Sequence, residues 1–288
     1  MPRKALSREE VASLLEEETE CLLNFKGRVM VNVSGGSASA VAWYRCLCLY
    51  GESHVFPVFA DTCSEDEDLY RFLDDCEKEF GQKITRLSSG KDIWDVFDET
   101  GIMRIAKSGN ACKASIILKQ QPLDQHFLEH QFDAQAVGIQ YDEPERITSL
   151  KSRKQTPLLF PLVLPPRLGE CLVHEEIRKL GLKLPRLYEQ EFTHNNCGGG
   201  CILAGLAQWN AFRLANPEGF AYAKEREEVF TARTGFTVLR DQSDGEVKSY
   251  TLAQLETDAE AGKKFRNDWK SQCSCMEPPE PVEEEGCF

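Results

Sequence analysis

Apolar residues recur first at helical spacing and then in short uninterrupted runs. Ser7 and Glu10 have the spacing of a capping box. They open an amphipathic stretch to about Asn24, with Val11, Leu14, Leu15, Leu22 and Leu23 apolar, which predicts a leading helix. Arg28 to Val33 reads as a buried strand. The small-residue run Ser34-Gly35-Gly36-Ser37-Ala38-Ser39 follows it and passes straight into a helical stretch, Ala38 to Leu49. The alternation continues with strand Val55 to Ala60, helix Glu65 to Phe80, strand Lys83 to Leu87 and helix Asp92 to Glu99. Next come a helix from about Cys112 to His130, strand Ala134 to Ile139, and strand Leu158 to Val163 closed by Pro165-Pro166. Strands alternating with helices imply a parallel sheet. Further helices are predicted at Glu170 to Leu180, Cys201 to Leu214 and Pro217 to Thr231. Phe236 to Leu239 and Val247 to Leu252 suggest a hairpin about Asp244-Gly245, before a short helix and an acidic, proline-bearing end whose composition predicts disorder. The predicted fold class is α/β, a Rossmann-like parallel sheet with helices on both faces plus a helical C-terminal part. The predicted domains are a core over 1–165, a helical part over 166–232, and a small appendage with its tail over 233–288.

Composition narrows the partners. The chain has 288 residues, enough to bury a real core, and a formal charge of −13. That charge argues against a surface that grips nucleic acid over its whole extent. Part of the excess is the C-terminal run Glu277, Glu280, Glu283, Glu284 and Glu285, so the body is only mildly acidic. No apolar run approaches the roughly 20 residues of a membrane span, and Met1-Pro2-Arg3-Lys4 does not lead into a signal-peptide core, so a cytoplasmic protein with no membrane partner is expected. In a reducing compartment the twelve cysteines serve packing, metal binding or thiol chemistry rather than structural disulfides.

Small residues between a buried strand and a helix aim backbone N–H groups and the helix dipole at one point, which suits a phosphate. The run Ser34 to Ser39 is not a Walker A loop, because no Gly-Lys-Ser/Thr follows. It is not a dinucleotide fingerprint either, because the spaced third glycine is missing. Taken alone, it reads equally well as an ordinary tight turn.

Later segments add weight. Val31 to Ala40, Val-Asn-Val-Ser-Gly-Gly-x-x-Ser-Ala, resembles the PP-loop of the adenine nucleotide α-hydrolase superfamily. Phe59-Ala60-Asp61-Thr62 with Glu65 and Glu67 is similar to a motif of its phosphoadenylyl-sulfate (PAPS) reductase-like branch. Cys112 with Lys119 and Pro122 resembles that branch's Cys-x-x-x-Lys-x-x-Pro segment. Gly138-Ile139-Gln140-Tyr141-Asp142-Glu143 with Arg146 resembles its Gly-Ile-Arg-x-Asp-Glu-x-x-Arg, Phe160-Pro161-Leu162 its Tyr-Pro-Leu, and Asn196-Cys197 with Cys201 its Asn-Cys-x-x-Cys. The likeness runs in order over about 28–230. It departs at Ala38, at Cys63 where a glycine is usual, at Gln140 where an arginine is usual, and in the Cys-x-x-x-Cys spacing.

The resemblance implies a nucleotide-binding core that holds ATP, PAPS or APS with its phosphates on Ser34, Gly35, Gly36, Ser37 and Ser39, bordered by Gly138. It implies Lys119 and Arg146 as catalytic cations and Asp61 as a ligand for Mg2+ or ribose. Lys119 and Arg146 also read as ordinary exposed charges on a helix or loop. Cys112, Cys197 and Cys201 are candidate ligands of a [4Fe-4S] cluster, with the Cys197 to Cys201 pair opening a helix. A Zn2+ site with His194, or plain thiol redox chemistry, remains the alternative. Cys21, Cys46, Cys48 and Cys76 read as core or semi-buried fillers on helices, Cys63 equally as a further thiol near the nucleotide or as a small packing residue, and Cys273, Cys275 and Cys287 as either inert or a mobile sulfur relay. The basic run Lys151-Ser152-Arg153-Lys154 is a candidate contact for a nucleic-acid backbone or a solvated loop. Three functions fit: ATP-dependent sulfur transfer giving AMP and pyrophosphate, PAPS or APS reduction, and nucleotide binding without turnover around a structural zinc. The implied partners are an adenine nucleotide, a sulfur donor or thiol reductant, a nucleic-acid or base acceptor, and a second copy in a homo-oligomer.

Overall fold

The computed structural model describes residues 6–105, 111–241 and 247–265. In chain order the elements begin with α1 (Arg8–Asn24), β1 (Val29–Asn32), α2 (Ser37–Tyr50), β2 (Val55–Asp61), α3 (Glu67–Phe80) and β3 (Thr85–Ser88). They continue with α4 (Ile93–Thr100), β4 (Arg104–Ile105), β5 (Ala111–Cys112), α5 (Lys113–Ser115), α6 (Gln121–Glu129), β6 (Ala134–Ala136), α7 (Pro144–Arg153) and β7 (Leu158–Leu159). The last are α8 (Glu170–Lys179), α9 (Arg186–Glu189), α10 (Leu206–Ala215), α11 (Pro217–Thr234), β8 (Leu239–Asp241), β9 (Lys248–Tyr250) and α12 (Leu252–Glu260). Contacts divide them into two compact units that interleave along the chain: 1–61, 67–88 and 121–186 form the first, and 62–66, 89–120 and 187–288 the second.

The first unit carries a five-stranded sheet in the order β3-β2-β1-β6-β7, with each neighbouring pair parallel. This is the α/β sheet that the strand and helix alternation predicts. Val29, Val31 and Val33 of the central strand region pack into one core with Ala40, Val41 and Trp43 of α2, Leu69, Phe72 and Leu73 of α3, and Val173 and Ile177 of α8. Full burial of such a side chain contributes about 1.5–3 kcal/mol. The leading helix starts with the predicted capping box: Ser7 Oγ accepts the Glu10 amide at 3.2 Å, and the Ser7 amide donates to Glu10 at 2.7 Å.

The second unit has its own core, in which Trp94 and Phe97 of α4 join Leu118, Trp209 and Phe212 of α10, Phe220 and Phe230 of α11, and Leu252 and Leu255 of α12. The expected hairpin is present as the antiparallel pair β8 and β9. Its turn, Asp244-Gly245, lies outside the described residues, as do the acidic end and Cys273, Cys275 and Cys287.

Four elements differ from the sequence reading, the first being the strand expected over Leu158 to Val163, which ends at Leu159 and gives way to a 3-10 turn over Pro161–Val163. The helix expected over Cys112 to His130 is broken. Cys112 ends a two-residue strand paired antiparallel with Arg104 and Ile105, and a π turn over Ile116–Gln120 precedes α6. Pro122 follows directly: its nitrogen carries no hydrogen to donate to the carbonyl four residues back, and its ring disfavours a regular α-helical turn there. Cys197 and Cys201 do not open a helix. Cys197 begins a single 3-10 turn to Gly199, and α10 starts only at Leu206. The basic run is the last turn of a helix, α7, rather than a loop. Among the described residues no helix is long and apolar enough to cross a membrane.

Candidate functional site

In the first unit the run Ser34 to Ser39 folds as a turn closed by its own hydroxyls. Ser39 Oγ accepts the Ser34 amide at 3.0 Å and donates to the Gly36 carbonyl at 2.9 Å. Gly35 has φ +80°, and a Cβ there would stand 2.5 Å from Leu69, so both backbone and space require glycine. Gly36 caps α2 without a side chain, and the first-turn amides at Ser37, Ala38 and Ser39 stand at the helix N-terminus, where an anion is favoured. Gly138, just beyond β6, lets that strand end approach the same turn. A Cβ at 138 would lie 2.8 Å from the Ala38 carbonyl and the Ser39 amide. The structure therefore brings the serine-glycine loop and Gly138 together.

Asp61 ends β2, the strand beside β1, and accepts the Tyr70 hydroxyl at 2.8 Å. Strand C-terminal ends are where open α/β sheets bind ligands. The Arg146 guanidinium is mostly buried and donates to Glu143 at 2.6 Å. The basic run is met by acids of its own unit. Lys151 pairs with Glu17 at 3.1 Å and with Glu18, and Lys154 pairs with Asp124. Lys151 offsets only part of what burial does to Glu18, whose carboxyl is pushed up. These pairs reduce the charge available to a nucleic-acid backbone.

The second unit gathers the other candidates around a small cavity lined by Thr62, Ile93, Cys112, Ser115, Lys119, Cys197, Cys201 and Ile202. Glu65 is the hub behind it. Its fully buried carboxylate accepts the Lys119 ammonium at 2.9 Å, the Thr62 hydroxyl at 3.0 Å and the Cys197 amide at 2.6 Å. Lys119 stands in the π turn, its side chain 6% exposed. Cys197 is in the left-handed region, φ +53°, followed by Gly198 at +55° and Gly199 at +92°. The glycines between the cysteines are crowded: a Cβ at Gly198 would stand 3.1 Å from the Ser64 carbonyl, at Gly199 2.8 Å from Phe192, and at Gly200 3.0 Å from Phe212. Side chains of α10 tie the loop down, Gln208 to the Gly199 carbonyl and Trp209 to the Cys201 carbonyl. Arg104, in register with Cys112, donates to the carbonyls of Ile202 and Val238.

The donor set suits an iron-sulfur cluster in kind: three cysteines and a lysine line one cavity. Ligands of a cluster bind different irons and need not converge on one point. As the side chains stand, no group of three or more His, Cys, Asp or Glu residues is arranged to hold a single metal ion among the described residues. His194, the alternative zinc ligand, is outside the described lining of the cavity. Burial first, and then the Lys119 charge, lowers its pKa to about 4, and its Nδ1 accepts the Asn196 amide at 3.4 Å.

The remaining cysteines divide by burial. Cys46 and Cys76 are core residues whose thiols burial pushes up. Cys21 and Cys48, expected as fillers, are exposed on their helices, as is Cys171. Cys63 is exposed and left-handed, φ +51°, the conformation a glycine in that place would adopt without strain. Glu65 is the residue behind this cavity whose structural role the sequence did not show.

Comparison with known proteins places residues 28–197 in the family model of the phosphoadenosine phosphosulfate reductase domain. An uncharacterized protein of Methanocaldococcus jannaschii is 32% identical over 178 residues, which is 60% of this chain and 36% of that protein, so the chain spans about a third of its length. Among solved structures, PAPS reductase from Candida auris in its phosphate complex has a TM-score of 0.42 at 13% identity, covering 66% of this chain and 95% of that one. The U34-tRNA thiolase NcsA of Methanococcus maripaludis, with its [4Fe-4S] cluster, has a TM-score of 0.45 at 14% identity, covering 79% and 82%.

Proposed function

The chain belongs to the phosphoadenosine phosphosulfate reductase domain family, the PAPS reductase-like branch of the PP-loop superfamily, and from that premise we propose an ATP-dependent sulfur-transfer enzyme. The observation that supports this most is the convergence of Cys112, Cys197, Cys201 and Lys119 on one cavity, in a chain that also carries the Ser34 to Ser39 turn. ATP would lie with its phosphates on Ser34, Gly35, Gly36, Ser37 and Ser39, and Asp61 would hold Mg2+. An oxygen of the acceptor, a base or nucleic acid, attacks the α-phosphorus. The bond to the bridging oxygen breaks, and pyrophosphate leaves with the electron pair. Sulfide from the donor then attacks the activated carbon, the carbon–oxygen bond breaks and AMP departs, with no net oxidation. Arg146 is the cation proposed to spread the developing negative charge, and Lys119 is the catalytic cation proposed beside the thiols. Cys112, Cys197 and Cys201 would hold a [4Fe-4S] cluster, which when bound supplies one iron free of protein ligands to carry sulfide.

The family match itself favours a second reading, reduction of PAPS or APS. A cavity thiolate would attack the sulfate sulfur, the sulfur–oxygen bond would break and the nucleotide would leave. A thiol reductant would then release sulfite and form a disulfide. Calorimetric titration with ATP, PAPS and APS, followed by product analysis with candidate acceptors, separates the two. AMP plus pyrophosphate supports the first, and sulfite the second. Gly36 has an ordinary extended backbone, φ −96° and ψ 160°, that valine can adopt. Gly36→Val should therefore abolish nucleotide binding in a folded protein, and unchanged affinity would refute the loop assignment.

A further inference from the structure

The end of α6 in the first unit carries a pair of imidazoles that the proposed function does not use. His126 and His130 are four apart, the spacing that stacks two side chains on one helical face. The His130 amide donates to the His126 carbonyl at 3.1 Å, so the helical turn holds through both residues. It closes in a Schellman arrangement: Gln131, left-handed at φ +52°, donates to Leu128, and Phe132 donates back to Phe127, each at 3.2 Å. That closure fixes the Phe132 ring 5.8 Å from His126 and 5.9 Å from His130, against which the latter stacks. The two imidazole centroids are 4.2 Å apart with the rings tilted by 46°.

We propose that His126 and His130 form a two-imidazole site for one divalent transition-metal ion of the zinc, cobalt, nickel and copper class, with water completing the coordination. Rings this close can place a nitrogen from each on one ion, and the aromatic floor limits the rotamer freedom that binding would otherwise remove. The Arg28 guanidinium, 4.9 Å over Phe132 and bonded to the His130 carbonyl, opposes a cation here, while the carboxylates of Glu129 and Asp133 on the same segment offset it. The site supplies two protein ligands, His126 and His130.

The test is anaerobic titration of the full chain, reduced and stripped with chelator, with Co2+ at pH 7, followed by calorimetry and absorption. Thiolate ligation of Co2+ gives an intense near-ultraviolet charge-transfer band, whereas imidazole and water give none. The expected result is an equivalent of Co2+ bound without that band, kept in Cys197→Ala and weakened at least about tenfold in His130→Gln and in His126→Gln. His130 is exposed, so His130→Gln decides the matter even if His126→Gln unfolds. Undiminished affinity in His130→Gln, or Co2+ binding that always carries the thiolate band, would overturn the proposal.

Discussion

Glu65 receives an ammonium, a hydroxyl and a backbone amide on one fully buried carboxylate, and so fixes Lys119, Thr62 and Cys197 at once. Removing one member of a buried pair leaves an uncompensated charge, which costs about 3–5 kcal/mol, so Glu65→Ala should lose stability on that scale in denaturant unfolding. Replacing both partners, Glu65→Gln with Lys119→Met, should recover most of it. A single Glu65→Ala with unchanged stability would contradict the hub. His194 gives a second residue-scale expectation. Its pKa falls from 6.5 to about 4, so the unfolded chain binds more protons between those values. The contribution of the neutral imidazole is therefore complete above pH 6.5 and lost as the pH falls towards 4, roughly 3 kcal/mol in all. Unfolding free energies of wild type and His194→Gln should converge on acidification, and parallel pH curves would exclude the effect. The sequence did not show Glu65 as a hub because it opens an acidic run, Glu65-Asp66-Glu67-Asp68, that reads as a solvated helix start. Only the chain path buries Glu65 and Asp66 while Glu67 stays exposed.

The first strand, glycine turn and helix were legible because three local signals coincide there: an apolar run, small residues, and a helical pattern beginning at once. The segment around Cys112 was not. Ala114, Leu118, Leu123 and Phe127 are buried along it, and they keep near-helical spacing through the π turn. The strand β5 exists through its pairing with Arg104 and Ile105, a contact the local pattern does not encode. Two further expectations belong to elements. Gly138→Ala would drive a methyl into the first turn of α2, so nucleotide affinity should fall more than in a control such as Gly181→Ala, where a Cβ meets open space at a left-handed glycine. Equal affinities measured by calorimetry would mean that the close approach does not matter. Glu227 of α11 accepts the amides of Val238 at 2.7 Å and Leu252 at 2.6 Å. Glu227→Ala strands two buried donors at about 1–3 kcal/mol each, so hydrogen exchange of α12 should accelerate while that of β1 stays slow. Unchanged protection in α12 would refute the clasp.

At the scale of the molecule, each unit has a core of its own and carries its own half of the proposed chemistry. The first holds the Ser34 to Ser39 turn; the second holds the thiols, Lys119 and Glu65. The family was legible because its motifs lie along the chain in order, and the chemistry of the thiol cavity was less so because three cysteines alone do not distinguish iron from zinc. The most direct measurement is therefore the absorption spectrum of anaerobically purified protein together with its iron, sulfide and zinc content. The account predicts a brown protein with iron and acid-labile sulfide, the colour lost in Cys112→Ala, Cys197→Ala and Cys201→Ala and kept in Cys46→Ala. A colourless protein with stoichiometric zinc, or colour that survives loss of Cys197, would contradict it.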